Sequence, residues 1–566
     1  MNKMDYKQLV ADAISDAIDN QVSTSDIYTK IENPKLSKNG DLAFPAFVLS
    51  KTMHKAPQEI AQEIVTKIDG VSFDKVVAAG PYVNFFLNKQ GVSEQVISDI
   101  LVEKNHYGDN QDGQDRVVTI DMSSPNIAKP MSMGHLRSTV IGNSIAKILT
   151  KNGYKPIKDN HLGDWGTQFG KLITAYLKWG NEEDVKKDPI HYLVQYYIRF
   201  HKEDQEDPEL DVEAREWFKK LEDGDPEAVR LWEWFRDASL KAFKQTYQKL
   251  NVDFDTYNGE SFYNDKLQNV VDTLKEQGLL EKSQGASIVD LSDEDLNPAL
   301  ILKTDGASLY VTRDIATAIY RDKTYHPVMN LYVVGSEQTY YFKQLKAVLK
   351  KMGLESADGL HHVPFGLITV DGKKLSTRHG NIVLLNEVLN ESVKMAKEQI
   401  AEKNPGLNNK DQVAEDVGVG AVIFGDLKNA RVDSIDFNLK DQLKFEGETG
   451  PYVQYAHARA ESILKKAENP NFEKSNHSLT DDDSWEVIKL LQEFPKVVKH
   501  ANQNFEPSDI AKYSLKLAKA FNKYYDHTKI LVDDDELNAR LSLVKSVSIV
   551  LEESLNLLGV KAPNEM

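Results

Sequence analysis

The sequence predicts a multidomain α/β protein: an open, mostly parallel sheet in the middle, an α+β module before it and an all-α region after it. Three observations carry that reading. The chain has 566 residues, which at roughly 150 residues per domain makes three or four domains. The run Arg116-Val-Val-Thr-Ile-Asp-Met122 is compact and β-branched, as a strand buried on both faces must be, and a loop and a helical pattern follow it. From about Asn386 onward the strand signals stop.

Taken in order, residues 5–19 place Leu9, Val10, Ala13, Ile14, Ala17 and Ile18 at helical spacing. A second helix opens with Pro57 in its first turn and carries Ile60, Ile64, Val65 and Ile68. Extended stretches are expected at Leu42–Leu49, Val76–Ala79 and Tyr82–Leu87, so residues 1–112 read as a small α+β module closed by the turn-rich segment before Arg116. Residues 113–385 then alternate β and α elements. After the strand at Arg116 comes a helix with Ile141, Ile145, Ile148 and Leu149 on one face, and strand-like runs recur at Leu309–Thr312, Leu331–Val334 and Gly366–Val370. Charged helices rich in Trp and Tyr interrupt this pattern at about 180–255, as an insertion. In residues 386–566 Trp485, Ile488, Leu491 and Phe494 share a helical face, as do Leu537, Leu541, Val544 and Leu551.

Composition removes whole classes of chemistry. With no cysteine, a disulfide framework, thiolate zinc, iron–sulfur clusters and thiol catalysis are excluded. No apolar run approaches the ~18 residues of a membrane span, and the first helix carries acids where a signal core would be apolar, so a cytoplasmic protein is expected. Asp and Glu outnumber Lys and Arg by 87 to 69, a net charge of −18, so any nucleic acid would be met by a local face, not by the whole surface.

Two loops carry chemistry. Asp121-Met-Ser-Ser-Pro-Asn-Ile-Ala-Lys-Pro-Met-Ser-Met-Gly-His-Leu-Arg-Ser-Thr139 leaves the carboxyl end of a strand and enters a helix, the place where open α/β sheets bind ligands. Gly134 permits close backbone approach, the helix start offers free N–H groups, and His135 and Lys129 add donors for phosphate. Alone, this is either a phosphate site or a plain strand–helix turn with one surface histidine. Val370-Asp-Gly-Lys-Lys-Leu-Ser-Thr-Arg-His-Gly-Asn381 sets three cations and two hydroxyls after a strand, which reads either as a pyrophosphate-neutralising loop or as a solvated basic one.

Together these loops resemble the HIGH and KMSKS signatures of class I aminoacyl-tRNA synthetases. Within that class the wording is similar to the arginyl-tRNA synthetases: SSPNIAKP before the Gly-His, GDWGTQFG at 163–170, GESFY at 259–263, LYVTRD at 309–314 and TGPYVQYAHAR at 449–459. The resemblance implies a Rossmann-like catalytic domain, an N-terminal module that recognises the tRNA D-loop and a C-terminal anticodon-binding domain. It implies a ligase that activates L-arginine with ATP, Mg²⁺ accompanying the nucleotide without a protein-only metal site, and charges tRNA-Arg in protein synthesis. A monomer is expected.

Site residues follow from the same resemblance. ATP is assigned to Ser132, Gly134, His135, Gly335, Lys374 and Ser376, with Lys129, His135 and Lys374 catalytic. The amino-acid pocket carries over onto Asp121, Asn126, Tyr310, Asp314 and Gln338, and tRNA contacts onto Tyr82, Asn84, Tyr525 and Met566. For Tyr82 and Asn84 a strand with two core residues is the competing reading. The chain departs from the family pattern twice. Ser132 stands at the first histidine of HIGH, and Thr377 at the second lysine of KMSKS, a charge deficit that Lys129 is positioned to fill from the opposite side of the triphosphate.

Overall fold

The computed structural model describes residues 5–34, 36–68, 73–303, 310–370, 373–374, 384–467, 470, 472 and 479–566, with backbone only at 37, 370, 373 and 374. It contains two compact units. One comprises residues 1–103, 467–492 and 523–546; the other comprises 104–466, 493–522 and 547–566.

In the first unit, the helix Tyr6–Ala17 is capped by Asp5, whose carboxylate accepts from the amides of Lys7 and Gln8, and it buries Val10, Ala11 and Ile14. Pro57 opens the helix Pro57–Lys67 as the sequence predicts. The strands β1 (Leu42–Pro45), β2 (Phe73–Ala79) and β3 (Tyr82–Leu87) form an antiparallel sheet in the order β1-β3-β2. The extended stretch expected to reach Leu49 stops at Pro45, because the chain turns there into a 3₁₀ segment, Ala46–Leu49. Asp41 ties this sheet to the helix Asp482–Asn504: its Oδ1 accepts from Trp485 Nε1 at 2.9 Å and its Oδ2 from the Leu87 amide at 3.0 Å.

In the second unit, β4 (Val117–Asp121) and β5 (Lys155–Asp159) join two later strands of one parallel sheet. Between them in the chain lie β6 (Glu281–Ser283), β7 (Ala286–Val289) and β8 (Ala299–Leu302), which pair as an antiparallel meander of their own. The parallel sheet is completed by β9 (Met329–Gly335) and β10 (Leu360–Phe365), in the order β10-β9-β4-β5. The chain thus moves to one side from β4 and returns on the other, leaving a switch point between β4 and β9. The helix Met133–Lys151 that follows β4 is buried on nearly every face, including Ile141, Ile145, Ile148 and Leu149. Four helices between Glu182 and Lys249 form the insertion.

Two expectations are corrected. Residues 310–312 are not a strand: a helix runs Tyr310–Tyr325, with Val311, Ile315 and Ala318 packed at helical spacing and Thr312 Oγ1 donating to the Ile301 carbonyl at 2.7 Å; Leu309 lies outside the described residues. The run at Gly366–Val370 begins as a strand only at Ile368. This strand, β11 (Ile368–Val370), pairs antiparallel with β12 (Lys373–Lys374) and parallel with β13 (Ile435–Asp436), in a small separate sheet. Its place in the main sheet is taken by β10.

Candidate active site

The site gathers at the carboxyl ends of β4 and β9, where Asp121 and Gly335 end their strands. The loop from β4 into the Met133 helix is wound tightly. Ser123, Ser124 and Ala128 take φ values of 74°, 48° and 57°, a left-handed conformation costly for residues with a Cβ and found where surrounding structure imposes it. Here the imposition is visible. The Ser123 amide donates to Ser138 Oγ at 2.8 Å, and Ser138 Oγ donates to the Val333 carbonyl of β9 at 2.7 Å. Farther along, Asn126 pairs with Gly163, whose amide donates to Pro125 and whose carbonyl accepts from Ile127. A Cβ on Gly163 would lie on the Asn126 side chain, so the glycine is what lets the two signature loops close on each other.

His135 sits in the first turn of the helix, half-buried. The Ser132 amide donates to its Nδ1 at 3.0 Å, and Ser132 Oγ lies 3.1 Å from the same nitrogen. Nδ1 is therefore the acceptor, and the neutral ring carries its proton on Nε2. Burial, reinforced by the Lys129 charge, holds its pKa below the ordinary imidazole value. Lys129 is exposed, its ammonium 6.0 Å from the ring centre of Tyr197 in the insertion. A Cβ on Gly134 would meet nothing nearer than Ser132 Oγ at 3.5 Å, so the protein itself leaves that approach open. Lys374 is placed by backbone pairing with Thr369. Its side chain, and Ser376, Thr377 and Arg378, lie outside the described residues.

The predicted amino-acid pocket resolves unevenly. Asp314 lies one helical turn beyond Tyr310, as expected, and accepts a very short hydrogen bond from the Tyr341 hydroxyl. Burial raises its pKa, the charge of Asp121 adds to this, and His161 opposes it. Tyr310 opens the helix 72% exposed, and Asn126 and Gln338 are exposed too. Asp121 is already engaged: Oδ2 accepts from Arg321 at 2.8 Å and Oδ1 from Ser124 Oγ at 3.1 Å. Arg321 also donates to Asp159 at 2.7 Å, so one buried guanidinium faces two carboxylates.

Three residues that sequence reasoning missed join Asp314. Glu260 is raised above the usual carboxylate range by burial, with Arg313 and His161 opposing and Asp164 and Asp314 adding. Arg313 stands 3.9 Å from it. His161 has its Nδ1 buried without a hydrogen-bond partner and its ring 5.6 Å from that of Tyr263. Tyr341 is the third. Glu260 and His161 lie in or beside the motifs at 259–263 and 163–170, which lock together. Asp164 accepts from the Ser261 amide at 2.8 Å and from its hydroxyl at 2.7 Å, while the Glu260 amide donates to Leu162. The result is a partly buried region with more carboxylates than cations, suited to a positively charged ligand.

The residues expected to touch tRNA are placed as follows. Tyr82 is half-buried, edge-on to Phe47 at 6.1 Å, and Phe47 is half exposed. Asn84 is 5% exposed, as the core-strand alternative has it. Tyr525 is 41% exposed on its helix, with Tyr524 buried beside it. Met566 packs beside Ala396 and Ile400, its carbonyl accepting from Asn404 Nδ2 at 3.1 Å.

Comparison with known proteins matches three stretches of the chain. Residues 96–439 match the model for tRNA synthetases class I (R), catalytic domain; residues 453–566 match the DALR anticodon binding domain; residues 4–87 match the arginyl tRNA synthetase N terminal domain. The arginine–tRNA ligase of Levilactobacillus brevis is 66% identical over 563 residues, and that of Lactiplantibacillus plantarum 63%, each covering 100% of both chains. Among solved structures, the Thermus thermophilus arginyl-tRNA synthetase superposes with a TM-score of 0.82 at 26% identity, covering 99% of this chain and 100% of that one. The Plasmodium falciparum arginyl-tRNA synthetase gives 0.81 at 25%, covering 99% of each.

Proposed function

The chain belongs to the arginyl-tRNA synthetases of class I, and on that premise we propose how its residues divide the work. The reaction is that of an arginine–tRNA ligase. An arginine carboxylate oxygen attacks the α-phosphorus of ATP, the bond to the β-phosphate breaks, and pyrophosphate leaves with the bonding pair. The terminal ribose of tRNA-Arg then attacks the acyl carbon and AMP departs. Little covalent work falls to the protein, which positions reactants and stabilises charge on phosphorus.

His135 donates Nε2–H to the triphosphate, Lys129 and Lys374 approach it from opposite sides, Ser132 and Ser376 supply hydroxyls, and Gly134 and Gly335 let the nucleotide lie against backbone. The carboxylate surplus around Asp314 supports this reading best, because Arg313 faces Glu260 while the substrate guanidinium supplies the cation that Asp314 needs. Asp121, engaged by Arg321, shapes the wall behind Asp314. Tyr310, Asn126 and Gln338 contact the rest of the amino acid. Mg²⁺ would accompany ATP, as hard cations do with nucleotide phosphates.

The D-loop is met by Tyr82 together with Phe47, whose exposed ring supports a stacking role, whereas Asn84, buried in the central strand β3, serves the sheet rather than the tRNA. Tyr525 and Met566 serve the anticodon. The enzyme works as a cytoplasmic monomer; no helix among the described residues is long and apolar enough to cross a membrane. ATP–pyrophosphate exchange over an amino-acid panel with tRNA-Arg present tests the pocket. Arginine alone should support exchange, and exchange with lysine, glutamate or glutamine in its place would overturn it.

A further inference from the structure

Two residues beyond His135, the same helix carries an arginine with 1% of its surface exposed. Arg137 Nη1 donates to the carbonyls of Gly366 and Asp433, each at 2.8 Å, and Nη2 to that of Arg431 at 3.2 Å. Its Nε lies 3.1 Å from Oδ2 of Asp426, an equally buried carboxylate. None of these partners is on the helix of Arg137. Gly366 lies two residues before β11, Arg431 and Asp433 just before β13, and Asp426 near the end of the helix Lys410–Leu427. From β11 the chain passes to β12 and Lys374, and β13 is the parallel neighbour of β11.

The acceptor cluster is built around one glycine. A Cβ on Gly366 would lie 2.7 Å from the Val432 carbonyl oxygen and closer still to that of Asp433, backbone against backbone. The Gly366 amide donates to Arg431 at 2.9 Å, and the Arg431 side chain in turn donates to Pro364 at 2.6 Å and Phe505 at 3.1 Å. Several carbonyls therefore converge on a single guanidinium with one carboxylate to neutralise it. Burying such a charge is expensive, and removing the guanidinium alone would leave Asp426 and three carbonyls without their partner.

We propose that Arg137 is a positioning residue. It fixes the root of the β11–β12 pair, and with it the backbone of Lys374, against the helix that carries His135, so that the two halves of the phosphate site keep one relative placement. This rests on the assignment of His135 and Lys374 to ATP. A displacement of about 1 Å between groups that must act together on one phosphate can cost 10²-fold in rate. Arginine suits the task because its planar fork serves three carbonyls while Nε faces Asp426, whereas a lysine has one nitrogen for all four.

The test uses the full-length enzyme with Arg137→Lys, and with the neutral pair Arg137→Met/Asp426→Leu, which removes both buried charges together. ATP–pyrophosphate exchange is read at saturating arginine, ATP and tRNA-Arg, with melting temperature and arginine binding measured alongside. The expected result is a kcat lowered by about tenfold or more, with both KM values held within about twofold. A parental kcat in either folded variant overturns the inference, and so does a loss that arrives with an equal loss of arginine binding. Should neither variant fold, the native enzyme still decides. The amides of Gly366, Ile435 and Phe437, which donate to Arg431, Leu367 and Thr369, should be among the slowest to exchange with solvent, and exchange at surface-turn rates overturns the clamp. His135→Ala and Lys374→Ala run in parallel. Full activity in those removes the phosphate assignment and this inference with it; their inactivity beside a fully active Arg137→Lys removes the clamp alone.

Discussion

Asp314 holds its carboxyl where burial and the charge of Asp121 disfavour ionisation, so it takes up a proton at a higher pH than an ordinary aspartate. A guanidinium binds the ionised form. Arginine affinity should therefore weaken as pH falls toward that raised pKa, and the weakening should begin above the ordinary aspartate range. Asp314→Asn removes the ionisation and the pairing together. It should raise the arginine KM by the equivalent of about 2–5 kcal/mol, flatten the pH dependence and leave the ATP KM nearly unchanged. Arginine KM measured against pH in both proteins checks this, and an unchanged KM in the variant sinks the pocket. Lys129 carries a second prediction. Exposed and resting near Tyr197, it is free to reach a ligand, and loss of one donor aimed at transition-state charge costs ~10²–10³ in rate. Lys129→Ala should cripple single-turnover adenylate formation, and adding Thr377→Lys should restore part of it; a near-normal rate in the single variant ends the compensation idea. The contiguous half of the site was readable because Lys129, Ser132, Gly134 and His135 are neighbours in the chain. The Tyr341 hydroxyl and the Arg321 partner of Asp121 were not, since 27 and 200 residues of chain separate them from the groups they touch.

Among the elements, the central strands β4 and β9 were legible and the edge strands β5 and β10 were not. Central strands are covered on both faces and must be apolar. An edge strand tolerates Pro and charge, and β5 reads Lys-Pro-Ile-Lys-Asp while β10 contains two histidines and Pro364. The helix Tyr310–Tyr325 was misread as a strand at its start because Val311 and Thr312 are β-branched, a local preference that packing against Ile301 and its neighbours overrides. At this scale the motifs at 163–170 and 259–263 act as one construction, and that makes a third prediction. A Cβ on Gly259 would lie 2.6–2.7 Å from the Asp164 carboxylate, which Ser261 holds through two hydrogen bonds. Gly259→Ala should destabilise the enzyme by roughly 1–3 kcal/mol and shift the adjacent Glu260. A lower melting temperature accompanied by a higher arginine KM is the expected pair of readings. Parental values for both would show that the two motifs are not mechanically joined.

For the molecule as a whole, the sequence separates a module at 1–112 from a helical domain at 386–566, because periodicity reports only local neighbours. The compact unit that holds residues 1–103 also takes in 467–492 and 523–546. Its internal ties run across most of the chain: Trp485 to Asp41, Lys489 to Asp41 at 3.3 Å, Lys89 to Asp482 at 2.8 Å, and the Leu479 amide to Ser93 Oγ at 2.9 Å. Trp485 is 4% exposed. Removing residues 1–103 therefore does more than delete a D-loop surface. It strips the partners from Trp485 and Asp482 and leaves apolar surface in water. The truncated enzyme should bind tRNA-Arg more weakly and should also show a lower-melting transition in its C-terminal helices. Trp485→Phe separates the two effects: a smaller ring remains, the donor to Asp41 is lost while Lys489 still faces that oxygen, and the lost hydrogen bond and the void left by the indole together cost about 1–3 kcal/mol. That variant should melt earlier while keeping tRNA affinity close to the parent's, since its D-loop and anticodon residues are intact. Calorimetry and equilibrium binding of tRNA-Arg on the two proteins decide the matter. A truncated enzyme that melts like the parent would mean residues 1–103 fold independently of the helices, and one that binds tRNA-Arg like the parent would remove the D-loop role.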